Sequence, residues 1–148
     1  MAINASFKSK NSTERKLSNL SHTPFVFEGR ECDSFEGFYQ GIKRSGDDIQ
    51  NHIFKTSGIY AKNYSKPTKF VYFNGKTFRA GSKEHHELLF QAQLCKYTHN
   101  KEAREALLST GNAKLTHKVG GKDSIFYPAR VYTGHLTAIR GMLQRGEV

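Results

Sequence analysis

The chain has 148 residues, and 23 Lys and Arg against 13 Asp and Glu give it a formal charge of +10, which favours polyanionic partners: phosphates, nucleotides, nucleic acid or an anionic membrane. That length makes one domain, which buries about 70% of its unfolded surface and needs no disulfide or metal staple, and with apolar residues at only 36% the 11 Phe and 7 Tyr must carry much of the burial. There is no apolar run of about 18 residues for a membrane span, and the polar start MAINASFKSKNSTERK lacks the apolar stretch of a signal peptide.

Residues 1–16 are polar and are expected to be loosely held, with Phe7 as a possible anchor, ahead of a single domain over 17–148. Pro24 to Cys32 reads as a strand, a tight turn at Glu28-Gly29 and a second strand. Asp33 or Ser34 is a good N-cap for a helix from Phe35 to about Arg44, in which Phe35, Phe38, Tyr39 and Ile42 share one face. Ser45-Gly46 ends it, and Asp47 and Asp48 open a short helix carrying Ile49, Ile53 and Phe54, with the acids at its positive end. Residues 57–69 give no firm pattern. In 70–79, Asn74-Gly75 between aromatic and β-branched residues predicts a type I′ hairpin, because both turn positions need φ > 0.

Gly81-Ser82 then caps a long helix over about 83–98 that is expected to bury Leu88, Leu89, Ala92, Leu94 and Cys95. Asn100 starts another, carrying Ala103, Ala106, Leu107 and Leu108 and ending at Gly111. Residues 116–131 read as loop, and Thr133 is placed as the cap of a last helix holding Leu136, Ile139, Met142 and Leu143. The sum is a mainly α domain with two small hairpins. Cys32 and Cys95 lack C-x-x-C spacing and read as reduced thiols of a cytosolic compartment. Adjacent His85 and His86 point about 100° apart on a helix, so they cannot chelate as an i, i+4 pair would, and no metal site is expected.

The first predicted helix also has a polar stripe. Glu36, Gln40 and Lys43 lie at i, i+4 and i+7, on one face over two turns. A carboxylate, an amide and an amine converging there could hold a ribose and assist C–N cleavage. The same spacing also suits a solvated polar face, or an ion pair between Glu36 and Lys43.

Leu17-Ser18-Asn19-Leu20, Pro24-Phe25, Gly29 and Ser34-Phe35-Glu36-Gly37-Phe38-Tyr39-Gln40-Gly41-Ile42-Lys43 together resemble the signature of the NADAR (YbiA-like) N-glycosidases, which act on ADP-ribose-type ligands. Ala92 to Thr110, with Lys96, Tyr97, Asn100, Leu107 and Leu108, is similar to a second family segment, and Leu136 with Ile139-Arg140 is similar to its terminal helix. The matches run over about residues 17–143. They depart from the family at Gly37, where His is usual, and at Asp123-Ser124-Ile125-Phe126, where an expected Trp and Gly are missing.

The resemblance implies a compact multihelical fold and hydrolysis of a ribose C1–N bond without a cofactor. Some relatives act on riboflavin-pathway intermediates, and others remove ADP-ribose from guanine in nucleic acid, reversing the work of DNA-modifying toxins. The charge favours ADP-ribosylated nucleic acid as the partner. A non-catalytic module that binds ADP-ribose or nucleic acid has the same charge and pocket, and so stays open. Glu36, Lys43 and Asp123 are the implied catalytic residues; Asn19, Arg30, Tyr39, Gln40 and Arg140 are the implied substrate contacts. A small basic form of such a domain suits a cytoplasmic factor, in the bacterial host if phage-encoded. No membrane partner is implied.

Overall fold

The computed structural model describes residues 2–6, 11–118 and 121–148. Its elements in chain order are β1 (Ala2–Asn4), α1 (Ser12–Lys16), β2 (Phe25–Phe27), β3 (Arg30–Cys32), α2 (Phe35–Gly41), α3 (Asp47–Phe54), α4 (Gly58–Ala61), a 3₁₀ turn (Lys62–Tyr64), β4 (Phe70–Phe73), β5 (Lys76–Arg79), α5 (Lys83–His99), α6 (Lys101–Ser109), β6 (Lys114–Thr116) and α7 (Ala129–Gln144). Among the described residues no helix is long and apolar enough to cross a membrane.

Both predicted hairpins form. Glu28 and Gly29 take φ of 50° and 77°, and Asn74 and Gly75 take 47° and 81°, so each turn has the paired positive φ that matches strand twist. They pair Phe25 with Cys32 and Phe70 with Arg79 at their open ends. Arg30 locks the two hairpins to α3. Its guanidinium donates to Asn51 Oδ1 at 2.8 Å, Asn74 Oδ1 at 2.9 Å and Gln50 Oε1 at 3.0 Å, over the rings of Phe54 and Phe73.

Helix α5 is the hub, packed against α2, α6, α7, β2 and β5. Its buried residues are His85, Leu89, Ala92, Gln93, Lys96 and Tyr97, a stripe of helical spacing that is half polar. Leu88, Leu94 and Cys95, expected in the core, are only partly buried. The buried face is therefore rotated away from the one that apolar residues alone would mark. Ile49 and Leu108 likewise face solvent, at 41% and 38% exposure.

Three further expectations are corrected. Residues 2–6 are not loose: β1 runs parallel to β6, Ala2 against Lys114, and Ala5 beyond it is fully buried. Phe7 lies outside the described residues. The strand β6 takes in Thr116, the first residue of the expected loop, and α7 begins at Ala129, ahead of Thr133, whose hydroxyl donates to Ala129 O inside the helix. Helix α2 ends at Gly41; a further turn carries the chain through Arg44.

Helix α2 lies against α3 because two glycines permit it. A Cβ on Gly37 would stand 2.8 Å from the carbonyl oxygen of Phe54, and one on Gly41 would enter the Phe54 ring. Position 37 thus faces α3, away from the polar side of α2.

Candidate active site

That polar side forms one wall of a cleft of about 950 Å³, within the usual range for small-molecule sites. Asn19, Glu36, Tyr39, Gln40, Lys43, Asp123 and Tyr127 line it, with Lys66, Lys118 and Lys122 at its rim. The wall containing Lys118 is held by the N-terminal strand. Asn4 Oδ1 accepts from Lys118 N at 2.9 Å, and Asn4 Nδ2 donates to Lys118 O at 3.1 Å.

Ser34 is the N-cap of α2, its Oγ accepting from Gly37 N at 3.0 Å. Glu36 N donates instead to Asn19 O at 2.9 Å, so the helix start and the Leu17-Ser18-Asn19 segment are joined beside the cleft. That segment is gripped from below: Tyr97 and Tyr132 hydroxyls donate to Leu17 O, and Lys96 Nζ to Ser18 O at 3.4 Å. Lys96 is fully buried, and burial pulls its ammonium down to about 7.

Burial pushes the Glu36 carboxyl up, against the Gln40 hydrogen bond and the nearby charges of Lys62 and Lys43 that favour its ionised form. Lys43 is only 4% exposed. Its Nζ lies 4.9 Å from the Tyr39 ring centre and 5.8 Å from that of Phe126. Desolvation pulls this amine down, partly opposed by Glu36. Among the described residues the two form no ion pair within 4 Å. The environment moves both toward their neutral forms, a protonated acid and a free amine, as general acid and nucleophilic chemistry require. Tyr39, pushed up to about 12 by burial, stays a neutral phenol, stacked on Tyr127 and His85.

Asp123 reaches the rim, but Oδ1 accepts from Ser124 N at 2.9 Å and Ala129 N at 2.8 Å, which ties it to the start of α7. Arg30 and Arg140 do not line the cleft. Arg30 holds the hairpins as described, and Arg140, 6% exposed, donates to Thr110 Oγ1 and Ala113 O, both at 2.9 Å. The bonds of both serve the fold. Sequence reasoning missed Gln93 and Tyr127, and the rim lysines Lys66, Lys118 and Lys122. The lysines are scattered over segments with no periodic pattern, and Gln93 sits on a helix face that hydropathy marks poorly.

The fold has a known counterpart. The NMR structure of the E. coli protein YbiA matches this fold with a TM-score of 0.74 at 18% identity, over 99% of this chain and 87% of that one. The mainly α, YbiA-like architecture expected from the sequence is present. At the level of sequence, the family model for bacteriophage protein GP30.3 matches residues 12–140, and the chain belongs to that family. A relative from Enterobacteria phage T4, an uncharacterized 17.1 kDa protein of the Gp30-rIII intergenic region, is 32% identical over 138 residues, which is 86% of this chain and 90% of the relative.

Proposed function

We propose that this chain is a NADAR-type N-glycosidase that hydrolyses a ribose C1–N bond, removing ADP-ribose from guanine bases of DNA. The observation that carries the reading is the pairing of a half-buried acid, Glu36, with a buried amine, Lys43, inside one cleft whose rim is lysine-rich. Lys66, Lys118 and Lys122 suit the diphosphate and the strand that bears it. A phage protein with this activity would act in the host cytoplasm, undoing a nucleotide modification made there.

In the reaction the C1–N bond breaks with its electron pair going to the base nitrogen, which takes the proton of Glu36. The cation-like C1 bonds to the Lys43 amine, which loses a proton to the Glu36 carboxylate. The C1–O4 bond then breaks, its electron pair staying on the ring oxygen, which takes that proton from Glu36, and a protonated Schiff base to Lys43 remains. Water then adds to C1, releases the amine and leaves the free sugar; the sum consumes one water. Tyr39 and Gln40 flank this path, Gln40 orienting the carboxyl and Tyr39 stacking beside the amine.

The deciding experiment offers the protein ADP-ribosylated guanine DNA and, separately, ribosylated pyrimidine intermediates. Release of ADP-ribose from the DNA supports the reading. Turnover of the small molecules alone transfers the site to metabolite hydrolysis, and binding without product makes it a non-catalytic module.

A further inference from the structure

Behind the cleft wall, four side chains form a chain of hydrogen bonds from Asn19 to α7. Gln93, fully buried on α5, donates from Nε2 to Asn19 Oδ1 at 2.9 Å and to the Tyr127 hydroxyl oxygen at 3.5 Å. Tyr127 in turn meets His135 Nδ1 at 2.8 Å. The direction of the Gln93 bonds follows from its amide, whose Nε2 donates to both neighbours. Tyr127, kept a neutral phenol by burial, gives its one proton to His135, and its oxygen is left to accept from Gln93. His135 is pulled down to about 4 by burial, so its ring is neutral at ordinary pH, and in the tautomer with the proton on Nε2 its Nδ1 accepts from Tyr127.

The opposite direction would turn the Gln93 amide over. Its Oε1, now buried and unpartnered, would accept from Asn19 and Tyr127, and both its N–H groups would be buried without acceptors. Unpaired buried N–H groups are rarer and less tolerated than an under-used carbonyl. The observed direction is therefore the stable one.

The consequence falls on Asn19. Its Oδ1 is consumed by Gln93 and its backbone carbonyl by Glu36 N, while Nδ2, on the cleft lining, has no acceptor among the described residues. We infer that Gln93 is a positioning residue that makes Asn19 an obligate hydrogen-bond donor into the cleft, so that the bound ligand must place an oxygen acceptor, a sugar hydroxyl or a phosphoryl oxygen, beside Glu36. The inference deepens the N-glycosidase reading, because it specifies the ligand face that meets the acid. It also assigns Gln93, Tyr127 and His135 a task that a merely packed core does not need.

The test uses ¹⁵N-labelled full-length protein. In the free wild type the Asn19 side-chain amide protons should exchange with water rapidly and those of Gln93 slowly; equal protection of both overturns the inference. In Gln93→Glu the introduced carboxylate offers only acceptors, so the Asn19 amide should turn and its protons become protected. If that buried substitution prevents folding, Asn19→Asp serves. It can still accept from Gln93 but shows the cleft no donor, and should bind ADP-ribose at least about tenfold more weakly at unchanged melting temperature. Unchanged affinity would overturn the inference. Ribose 5-phosphate and unphosphorylated ribose, titrated in parallel, tell which oxygen moves the Asn19 resonances. If ADP-ribose moves no resonance of the wild-type cleft, the glycosidase reading falls, while the exchange data still decide the direction of the Asn19 amide.

Discussion

Gln40 Nε2 donates to Glu36 Oε2 at 2.6 Å, one turn apart on α2, and its own Oε1 is buried without a partner. The carboxyl is thereby held on the cleft floor by an amide that adds no charge. A lysine or arginine in that place would favour the ionised form of Glu36 more strongly than the neutral amide does.

Glu36→Gln keeps the side-chain shape and an amide–amide bond to Gln40, and it removes an ionisable group that the fold half-buries. Thermal unfolding should therefore occur at the same temperature or slightly higher. Release of ADP-ribose should fall about 10²–10⁴-fold, the range for loss of a general acid. Turnover near that of the wild type would remove Glu36 from the chemistry.

Lys43 makes a separate prediction. Borohydride added during turnover should trap a covalent sugar adduct, located at Lys43 by mass spectrometry. Lys43→Arg keeps the positive charge but cannot form a Schiff base, so it should give no adduct and little product. Product formation by that variant at a rate close to wild type would leave Lys43 as a phosphate ligand.

Gly37→Ala places a methyl 2.8 Å from the Phe54 carbonyl oxygen. The helix gains about 1 kcal/mol in propensity, yet overpacking against backbone should outweigh it, for a net loss of about 1–2 kcal/mol. Denaturant unfolding would show this as a lower midpoint with unchanged slope. A stabilised variant would mean that α2 and α3 separate at little expense.

Arg30→Ala removes three hydrogen bonds and the stacking on Phe54, and should lower stability by about 2–3 kcal/mol. Activity per folded molecule at low temperature should stay near that of the wild type, because Arg30 is not on the cleft. A selective loss of substrate affinity would restore it as a ligand contact.

Acid stability carries the signature of His85, whose ring is 1% exposed and is pulled from 6.5 down to about 4 by burial, then by His86 and Lys43. Its folded pKa is below its unfolded one, so the unfolded chain binds more protons between those values. The contribution, up to about 3 kcal/mol, is complete above pH 6.5 and is lost as pH falls from 6.5 toward 4. His85→Gln should flatten that part of the stability–pH curve; an unchanged slope would assign it to other groups.

Both hairpins, the Ser34 cap and the polar stripe of α2 were legible in the sequence because each depends on neighbours within a turn or two. A type I′ turn needs φ > 0 at both central positions, which Gly and Asn supply most readily, and residues spaced i, i+4 and i+7 share a face in any helix. What the stripe faces was not legible. Glu36, Gln40 and Lys43 would show the same spacing on a solvated surface.

The tertiary structure decided where those side chains point and what surrounds them. It brought the 121–127 segment and the N-terminal strand to the cleft, and turned Gly37 toward α3. It buried the polar edge of α5, where His85, Gln93 and Lys96 each find a task that hydropathy alone assigns to solvent. The physical reason is that local conformation follows from short-range sterics and hydrogen bonds, whereas burial, and with it the protonation of Glu36 and Lys43, depends on segments up to a hundred residues away closing over the same few side chains.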